Sequence, residues 1–153
     1  MRWIVRVYAL IPNEWGGYLV MEEYFRGEWL TKFPGGGVEP HEGLIEALSR
    51  EICEELHTEI EKAHHFYTLD YFQRSYYHKD ARLMAIYYKV QLKDAPLVFS
   101  PRVKLYWLPP HLMQLTFPGD RQVQKLLMQH DAHLSTEPSS ENPPDYPPAP
   151  PYS

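Results

Sequence analysis

Charged residues suited to one kind of chemistry crowd into a short stretch of this chain. Arg50, Glu51, Glu54 and Glu55 lie within six residues, shortly after the glycine-rich turn Gly35–Gly37. Carboxylate oxygens at this density suit a hard divalent cation such as Mg²⁺ or Mn²⁺. Because glycine has no Cβ, the backbone carbonyls and amides of such a turn can approach a metal ion or a phosphate closely. These residue types therefore favour metal-assisted phosphate chemistry.

A helix must carry these charged residues. The pattern predicts it over residues 42–56, and at about 100° per residue its apolar positions form one stripe that should pack on a sheet. That stripe consists of Ile45, Leu48, Ile52 and Leu56. The carboxylates of Glu51, Glu54 and Glu55 share a separate arc beside the stripe.

Such an arc of like charges needs compensation. At about 6 Å and an effective dielectric constant of about 20, each neighbouring pair of glutamates costs roughly 3 kcal/mol. Arg50 offsets part of this cost, because it lies four residues before Glu54 and about two helical turns beyond Glu42. The spacing predicts a Glu42–Arg50–Glu54 lattice that leaves Glu51 and Glu55 to face a cation. The alternative interpretation is a solvated acidic face on an amphipathic helix.

The spacing of these residues resembles the Nudix box, the signature of Nudix hydrolases. The box is a glycine, five residues, a glutamate, seven residues, and then Arg-Glu-apolar-any-Glu-Glu. The residues that fill it in register are Gly36, Glu42, Arg50, Glu51, Ile52, Glu54 and Glu55. The resemblance implies an α/β fold over residues 1–134, the Nudix α/β/α sandwich with a mixed β-sheet and the Nudix loop and helix.

The resemblance also implies a reaction. The chain would hydrolyse a diphosphate linkage in a small nucleoside-diphosphate-type substrate, by attack of a water that Mg²⁺ or Mn²⁺ activates. Glu54 or Glu51 would be the general base, while Arg50 and Glu42 would hold the loop and the helix in register. The implied catalytic residues are Glu54, Glu51, Arg50 and Glu42. The implied metal ligands are Gly36, through its carbonyl, Glu51, Glu54 and Glu55.

Some positions depart from the family pattern. The box usually closes with glycine and an apolar residue, where this chain has His57 and Thr58, and His41 replaces a frequent glycine. We expect His57 to adopt a left-handed conformation at a cost of about 1 kcal/mol. Some members use a glutamate outside the box as base, but residues 62–132 contain none, so that variant would need another residue such as Asp94. A second hypothesis is therefore a Nudix-like module that binds or senses a nucleotide without turnover.

The remaining residues should form the sheet that supports this helix. Runs rich in β-branched and aromatic residues, bounded by glycine and proline turns, predict strands. The predicted strands are Trp3–Ile11, Tyr18–Tyr24, Trp29–Phe33, Phe66–Gln73, Ala81–Leu92 and Arg102–Leu108. A second helix is predicted over Asp120–His130, with Asp120 as its N-cap. Four aromatic residues are expected in the core, with stacking on a substrate as the alternative: Tyr8, Phe33, Tyr71 and Phe72.

Composition narrows the class of protein. The 153 residues carry a formal net charge of −5, so no broad basic surface favours a nucleic acid polymer as partner. The single cysteine, Cys53, allows no intramolecular disulfide and is predicted to be buried in the helix. No run approaches the roughly 18 apolar residues of a membrane span, and the amino terminus resembles a strand rather than a signal peptide. We expect a cytoplasmic protein with no membrane partner.

The last segment of the chain has a different composition. Residues 135–153 contain seven prolines and no aliphatic side chain larger than that of Ala149, which predicts a disordered tail outside the folded domain. A third hypothesis is that this tail docks on a proline-reading partner. Many members of the fold that the Nudix resemblance implies pair as a homodimer, but no residue of this sequence specifies an interface.

Overall fold

The computed structural model of the chain describes residues 2–134, and the predicted tail 135–153 lies outside them. In chain order the elements are β1 (Arg2–Leu10), β2 (Tyr18–Phe25), β3 (Glu28–Lys32), β4 (Gly35–Gly37), α1 (Leu44–Leu56), β5 (Ile60–Thr68), β6 (Ala81–Leu92), β7 (Val103–Leu108) and α2 (Pro118–Leu134). Two sheets and two helices confirm the predicted mixed α/β class. Within residues 2–134, no helix is long and apolar enough to cross a membrane.

The chain divides into two compact units, and the first holds the box residues. Within the described residues, this unit comprises residues 2–11 and Phe33–Val98. Its four-stranded sheet has the order β4-β1-β6-β5, with β1 and β6 parallel and the outer pairs antiparallel. The central strands are buried on both faces, as the consecutive buried residues 7–10 of β1 and 85–87 of β6 show. Continuous apolar runs are typical of parallel strands that are covered on both sides.

The helix α1 lies against this sheet. It contacts β4, β1 and β5, and the side chains that it buries are Ala47, Leu48, Ile52 and Leu56. The helix ends at His57, which has φ 55° and ψ 39° and donates its N–H to the Cys53 carbonyl at 3.1 Å. The predicted left-handed conformation of His57 is therefore confirmed.

Within the described residues, the second unit comprises Pro12–Lys32 and residues 99–134. Its three-stranded antiparallel sheet has the order β3-β2-β7. Arg26 and Gly27 form the two-residue loop between β2 and β3, with φ values of 49° and 85°. Positive φ at both positions is typical of a tight hairpin turn that matches the twist of its strands. In α2, the Gln124 side-chain amide donates to the carbonyls of Pro110 and Met113, at 2.7 Å and 2.9 Å.

Two predictions about strands are wrong. Gly35–Gly37 is a short strand rather than a turn, since it pairs antiparallel with β1 in the register Tyr8↔Gly35 to Arg6↔Gly37. The strand predicted at Phe66–Gln73 lies instead at Ile60–Thr68. Because β5 is an edge strand, many of its side chains are solvated and polar, and its sequence lacks the apolar run that marked the central strands.

The structure also corrects the predicted helices. Helix α1 begins at Leu44 rather than at residue 42, and Ile45 is 44% exposed, so Ala47 takes its place in the buried stripe. Cys53 is exposed rather than buried. Helix α2 begins at Pro118, where the fixed φ of proline suits a first helical turn, so Asp120 lies inside that turn and is not the N-cap.

The buried face of α1 can be tested by two alanine substitutions. We expect Leu48→Ala to lower the free energy of unfolding by about 2–5 kcal/mol, because the side chain is fully buried and its loss leaves a cavity. Ile45→Ala should change it by about 0.5 kcal/mol, as expected of a surface position. Urea denaturation followed by circular dichroism measures both, and equal losses would contradict the assignment of the buried face.

Candidate active site

The site begins with the glycine strand β4, at one edge of the first sheet. Gly35 has φ 146°, and a Cβ at this position would overlap the carbonyl oxygen of Val7 on the neighbouring strand. Its N–H donates to Oε2 of Glu55 at 3.3 Å. Only glycine combines this φ with so close an approach of two backbones, and the approach brings a box glutamate onto the loop.

The next glycine receives a second carboxylate. A Cβ on Gly36 would overlap the carboxyl carbon and an oxygen of Glu51, and it would lie 2.6 Å from the other oxygen. The side chain of Glu51 is only 15% exposed. Helix α1 therefore lays Glu51 directly on the backbone of Gly36, in space that any other residue would fill.

Arg50 joins helix α1 to strand β4 and to Glu42, which lies between them in the chain. Its Nε and Nη2 donate to the two carboxylate oxygens of Glu42 at 2.7 Å and 2.8 Å, a bidentate geometry. Nη2 also donates to the carbonyl of Gly37 at 2.9 Å. Nη1 donates to Glu51 at 3.1 Å and to Glu54 at 3.4 Å. The predicted lattice of Glu42, Arg50 and Glu54 is present, but the prediction that it leaves Glu51 unengaged is wrong, because Arg50 also donates to Glu51.

These contacts fix the charge state of the clamp, by which we mean Arg50 with Glu42. The hydrogen bonds from Arg50, and then the backbone N–H of Glu39, lower the pKa of Glu42 to about 2. The hydrogen bond to Glu42 raises the pKa of Arg50 well above its ordinary value, against the opposing effect of burial. Both partners are therefore ionised across the whole range in which the protein would work.

The remaining box carboxylate is held loosely. The side chain of Glu54 is 58% exposed, and its only polar contact within residues 2–134 is the long one to Arg50 at 3.4 Å. Within residues 2–134, no three histidine, cysteine or acidic side chains already converge as a metal cluster. The donors on and beside β4 are nevertheless carboxylate and backbone oxygens. We call Gly35 and Gly36 the cradle, because the Glu51 carboxylate fills the space that a Cβ of Gly36 would take. Such hard oxygen donors fit Mg²⁺ or Mn²⁺ and do not favour a soft metal.

Other residues singled out in the sequence lie outside this group. His41 is exposed in the loop before α1. Asp94 is exposed, and its backbone is bonded to the Thr58 hydroxyl beyond the end of α1, at 3.2 Å and 3.3 Å. Of the aromatic candidates, Tyr8 and Phe33 are buried, whereas Tyr71 and Phe72 are exposed.

One residue near the site was missed from the sequence. Arg6 lies in β1 directly opposite Gly37. Its position within the apolar run of β1 is visible in the sequence, but its partner strand is not, because three successive glycines are typical of a turn. A charged residue inside an apolar run was the signal that could have found it.

The clamp gives a pH prediction. Because the pKa of Glu42 falls from about 4.5 to about 2 on folding, its contribution to stability is fully present above about pH 4.5. It should decline as the pH falls and vanish below about pH 2. We expect the stability difference between wild type and Glu42→Gln to stay constant from pH 7 to about pH 5 and to shrink below that. Urea denaturation at stepped pH measures the difference, and a native-state carboxyl titration by ¹³C NMR near pH 4.5 would contradict the assignment.

Comparison with known proteins identifies the family of this chain. Residues 2–130 match the NUDIX domain family. A relative, the 8-oxo-dGTP diphosphatase of Buchnera aphidicola, is 31% identical over 101 residues, which cover 66% of this chain and 77% of that protein.

Solved structures agree on the fold. The MutT NUDIX hydrolase of Burkholderia pseudomallei superposes with a TM-score of 0.69 at 23% identity, covering 82% of this chain and 98% of that one. A NUDIX hydrolase of Nitrosomonas europaea gives 0.65 at 19% identity, covering 85% and 90%. With the family match over nearly all described residues, the chain belongs to the Nudix family and is a Nudix-type pyrophosphohydrolase.

Proposed function

We propose that this protein hydrolyses the diphosphate linkage of a small nucleoside-diphosphate-type substrate, with Mg²⁺ or Mn²⁺ as cofactor. The observation that carries the proposal is the seating of Glu51 on Gly36, next to the hydrogen bond between Glu55 and Gly35. This arrangement gathers oxygen donors at one strand edge, where a charged phosphate chain can reach them. The name of the Buchnera relative makes an oxidised or ordinary deoxynucleoside triphosphate the first substrate to test.

The metal ligands of the proposal are oxygen donors of β4 and α1. They are the Gly36 carbonyl and the carboxylates of Glu51, Glu54 and Glu55. When bound there, a divalent cation would neutralise phosphate charge and lower the pKa of a coordinated water. Glu54 would have to turn from Arg50 toward the loop, which its exposure and its single 3.4 Å contact allow.

The chemical step needs a proton acceptor. The water oxygen attacks a phosphorus of the diphosphate, the bridging P–O bond breaks, and the leaving phosphate departs with the bond electrons. Glu54 is the better candidate for the base that takes the proton from the water. Glu51 is only 15% exposed and is already engaged by Arg50 and the Gly36 backbone, whereas Glu54 is 58% exposed and can reach solvent.

Arg50 and Glu42 are positioning residues in this proposal. The five N–H donors of Arg50 are spent on carboxylates and on the Gly37 carbonyl, so none is directed at a substrate. Their effect is to fix the distance between the loop and the helix, since a misplacement of about 1 Å can cost about 100-fold in rate.

Substitution of Glu54 tests the proposed base. We expect Glu54→Gln to lower kcat on deoxynucleoside triphosphates by about 100-fold or more, because proton transfer by a positioned side chain contributes about 10²–10⁴-fold. The matched control is Glu61→Gln, which removes the same charge from an exposed position of β5 and should leave kcat unchanged. A pyrophosphate-release assay with Mg²⁺, coupled to inorganic pyrophosphatase for a phosphate readout, measures both, and chelation by EDTA should stop wild-type turnover.

The outcomes separate the hypotheses. Equal activity of the two variants would contradict the role of Glu54. If wild type binds a nucleotide tightly yet forms no hydrolysis product over hours from any substrate in a panel of nucleotides, nucleotide sugars and dinucleoside polyphosphates, the protein is a binding module instead.

The two glycines of the cradle should respond differently to alanine. Gly36→Ala obstructs only the end of the flexible Glu51 side chain, so we expect a normal melting temperature with kcat/KM reduced about 100-fold. Gly35→Ala forces a strained φ and overlaps the Val7 backbone, so we expect the free energy of unfolding to fall by at least about 1 kcal/mol.

Thermal denaturation and initial-rate assays on the same preparations measure this contrast. If Gly36→Ala keeps full activity, the seat of Glu51 on the loop is not needed for catalysis. If both variants lose stability equally, the two contacts are of the same kind and the proposed distinction is wrong.

A further inference from the structure

Strand β4 has two faces, and a different charge lies on each. Side chains of successive strand residues point to opposite faces, so Gly36 and Gly37 present opposite sides of β4. Glu51 occupies the space where a Cβ of Gly36 would be. On the other side, the nearest atom to a Cβ of Gly37 is Nη1 of Arg6, at 3.9 Å. Arg6 therefore lies beside the loop that we propose holds the diphosphate, across the strand from the carboxylates.

Arg6 is held in place by aromatic side chains. Its Nε donates to the hydroxyl of Tyr8 at 2.7 Å, and its guanidinium carbon lies 4.4 Å from the ring centre of Tyr77 and 5.6 Å from that of Tyr8. Burial lowers the pKa of Arg6, but the electrostatic interaction and hydrogen bond with Tyr8, together with the interactions with Tyr77 and Glu51, raise it overall. The side chain is thus a preorganised cation, with its plane covered and its end directed past Gly37.

The two Nη nitrogens of Arg6 carry N–H donors that can bind a ligand. Its Nε bond to Tyr8 is its only hydrogen bond within residues 2–134, so neither Nη nitrogen donates to an oxygen of that part of the chain. Arg50 is the opposite case, because its Nε and both Nη nitrogens donate to the protein. An arginine fork suits a phosphate, which accepts two parallel N–H bonds.

We propose that Arg6 binds a phosphate oxygen of the nucleotide through its Nη nitrogens, with Tyr77 and Tyr8 orienting the guanidinium. The inference rests on the proposed function in that the ligand is a nucleoside phosphate held at β4. Arg6 would then supply attraction on one side of a strand whose other side carries acidic side chains. It acts on affinity for the phosphate chain rather than on proton transfer.

The test is binding without turnover. Isothermal titration calorimetry with Mg²⁺ would use dGMP and inorganic pyrophosphate, neither of which has a nucleoside diphosphate linkage to cleave. The variants are Arg6→Met and Arg6→Lys. The matched control is Arg82→Met, which removes another β-sheet arginine stacked on an aromatic ring, with its guanidinium carbon 4.2 Å from the centre of Trp3. Melting temperatures establish that each variant is folded.

We expect Arg6→Met to weaken the binding of pyrophosphate by about 10–100-fold, the range for charge-assisted hydrogen bonds. Arg6→Lys should recover part of the affinity, because it keeps the charge and loses the fork. Arg82→Met should bind both probes like wild type. In hydrolysis, Arg6→Met should raise KM more than it lowers kcat, which a general disturbance of the fold would not do.

Three results would overturn the inference. In the first, Arg6→Met binds both probes as tightly as wild type. In the second, it loses affinity for dGMP alone, which indicates contact with the base. In the third, wild type binds neither probe. These results are independent of the Glu54→Gln assay, so a protein that binds phosphate through Arg6 without hydrolysing anything would contradict the proposed function and leave this inference standing.

Discussion

The bidentate pairing of Arg50 with Glu42 is the interaction on which the site depends. Four glutamates lie around this guanidinium, with Glu39 the most distant at 3.9 Å. Neighbouring carboxylates repel one another by roughly 3 kcal/mol per pair at an effective dielectric constant of about 20. One cation at their centre offsets much of that repulsion. The guanidinium of Arg50 also donates to the Gly37 carbonyl, so the side chain that neutralises the glutamates also holds β4 in position.

The glycine strand is the second constraint, and it complements the first. Arg50 draws the helix toward the loop, and the absence of side chains at Gly35 and Gly36 lets the two meet. Without the clamp, Glu51 would have little reason to lie on backbone rather than in water. Without the glycines, a side chain on β4 would occupy the space of the Glu51 carboxylate and keep α1 away from the strand. The charge of Arg50 and the absence of side chains on Gly35 and Gly36 thus both bring β4 and α1 close together.

Much of this could be predicted from the sequence, because it depends on local spacing. Arg50 and Glu54 lie four residues apart within α1, so their contact follows from helix geometry alone. Glu42 precedes α1, so its contact with Arg50 depends also on the path of the chain before the helix. The central strands follow from their apolar runs. Strand β4 could not be predicted from local propensity, because glycine disfavours strands and only its pairing with β1 makes one. The solvated edge strand β5 was misplaced for the related reason that its sequence lacks a strong apolar pattern.

The errors on the helix have a different origin. A helical wheel gives the angle of each residue but not where the supporting sheet ends, so Ile45 was placed in the buried stripe although the first turn of α1 leaves it exposed. The wheel also treats one element at a time. Arg6 belongs to another strand, and its relation to the box exists only in the register Arg6↔Gly37. The two arginines beside β4 consequently differ in how their N–H donors are used. Arg50 spends its donors on the protein and gives rigidity, whereas Arg6 keeps donors at its tip and can give affinity.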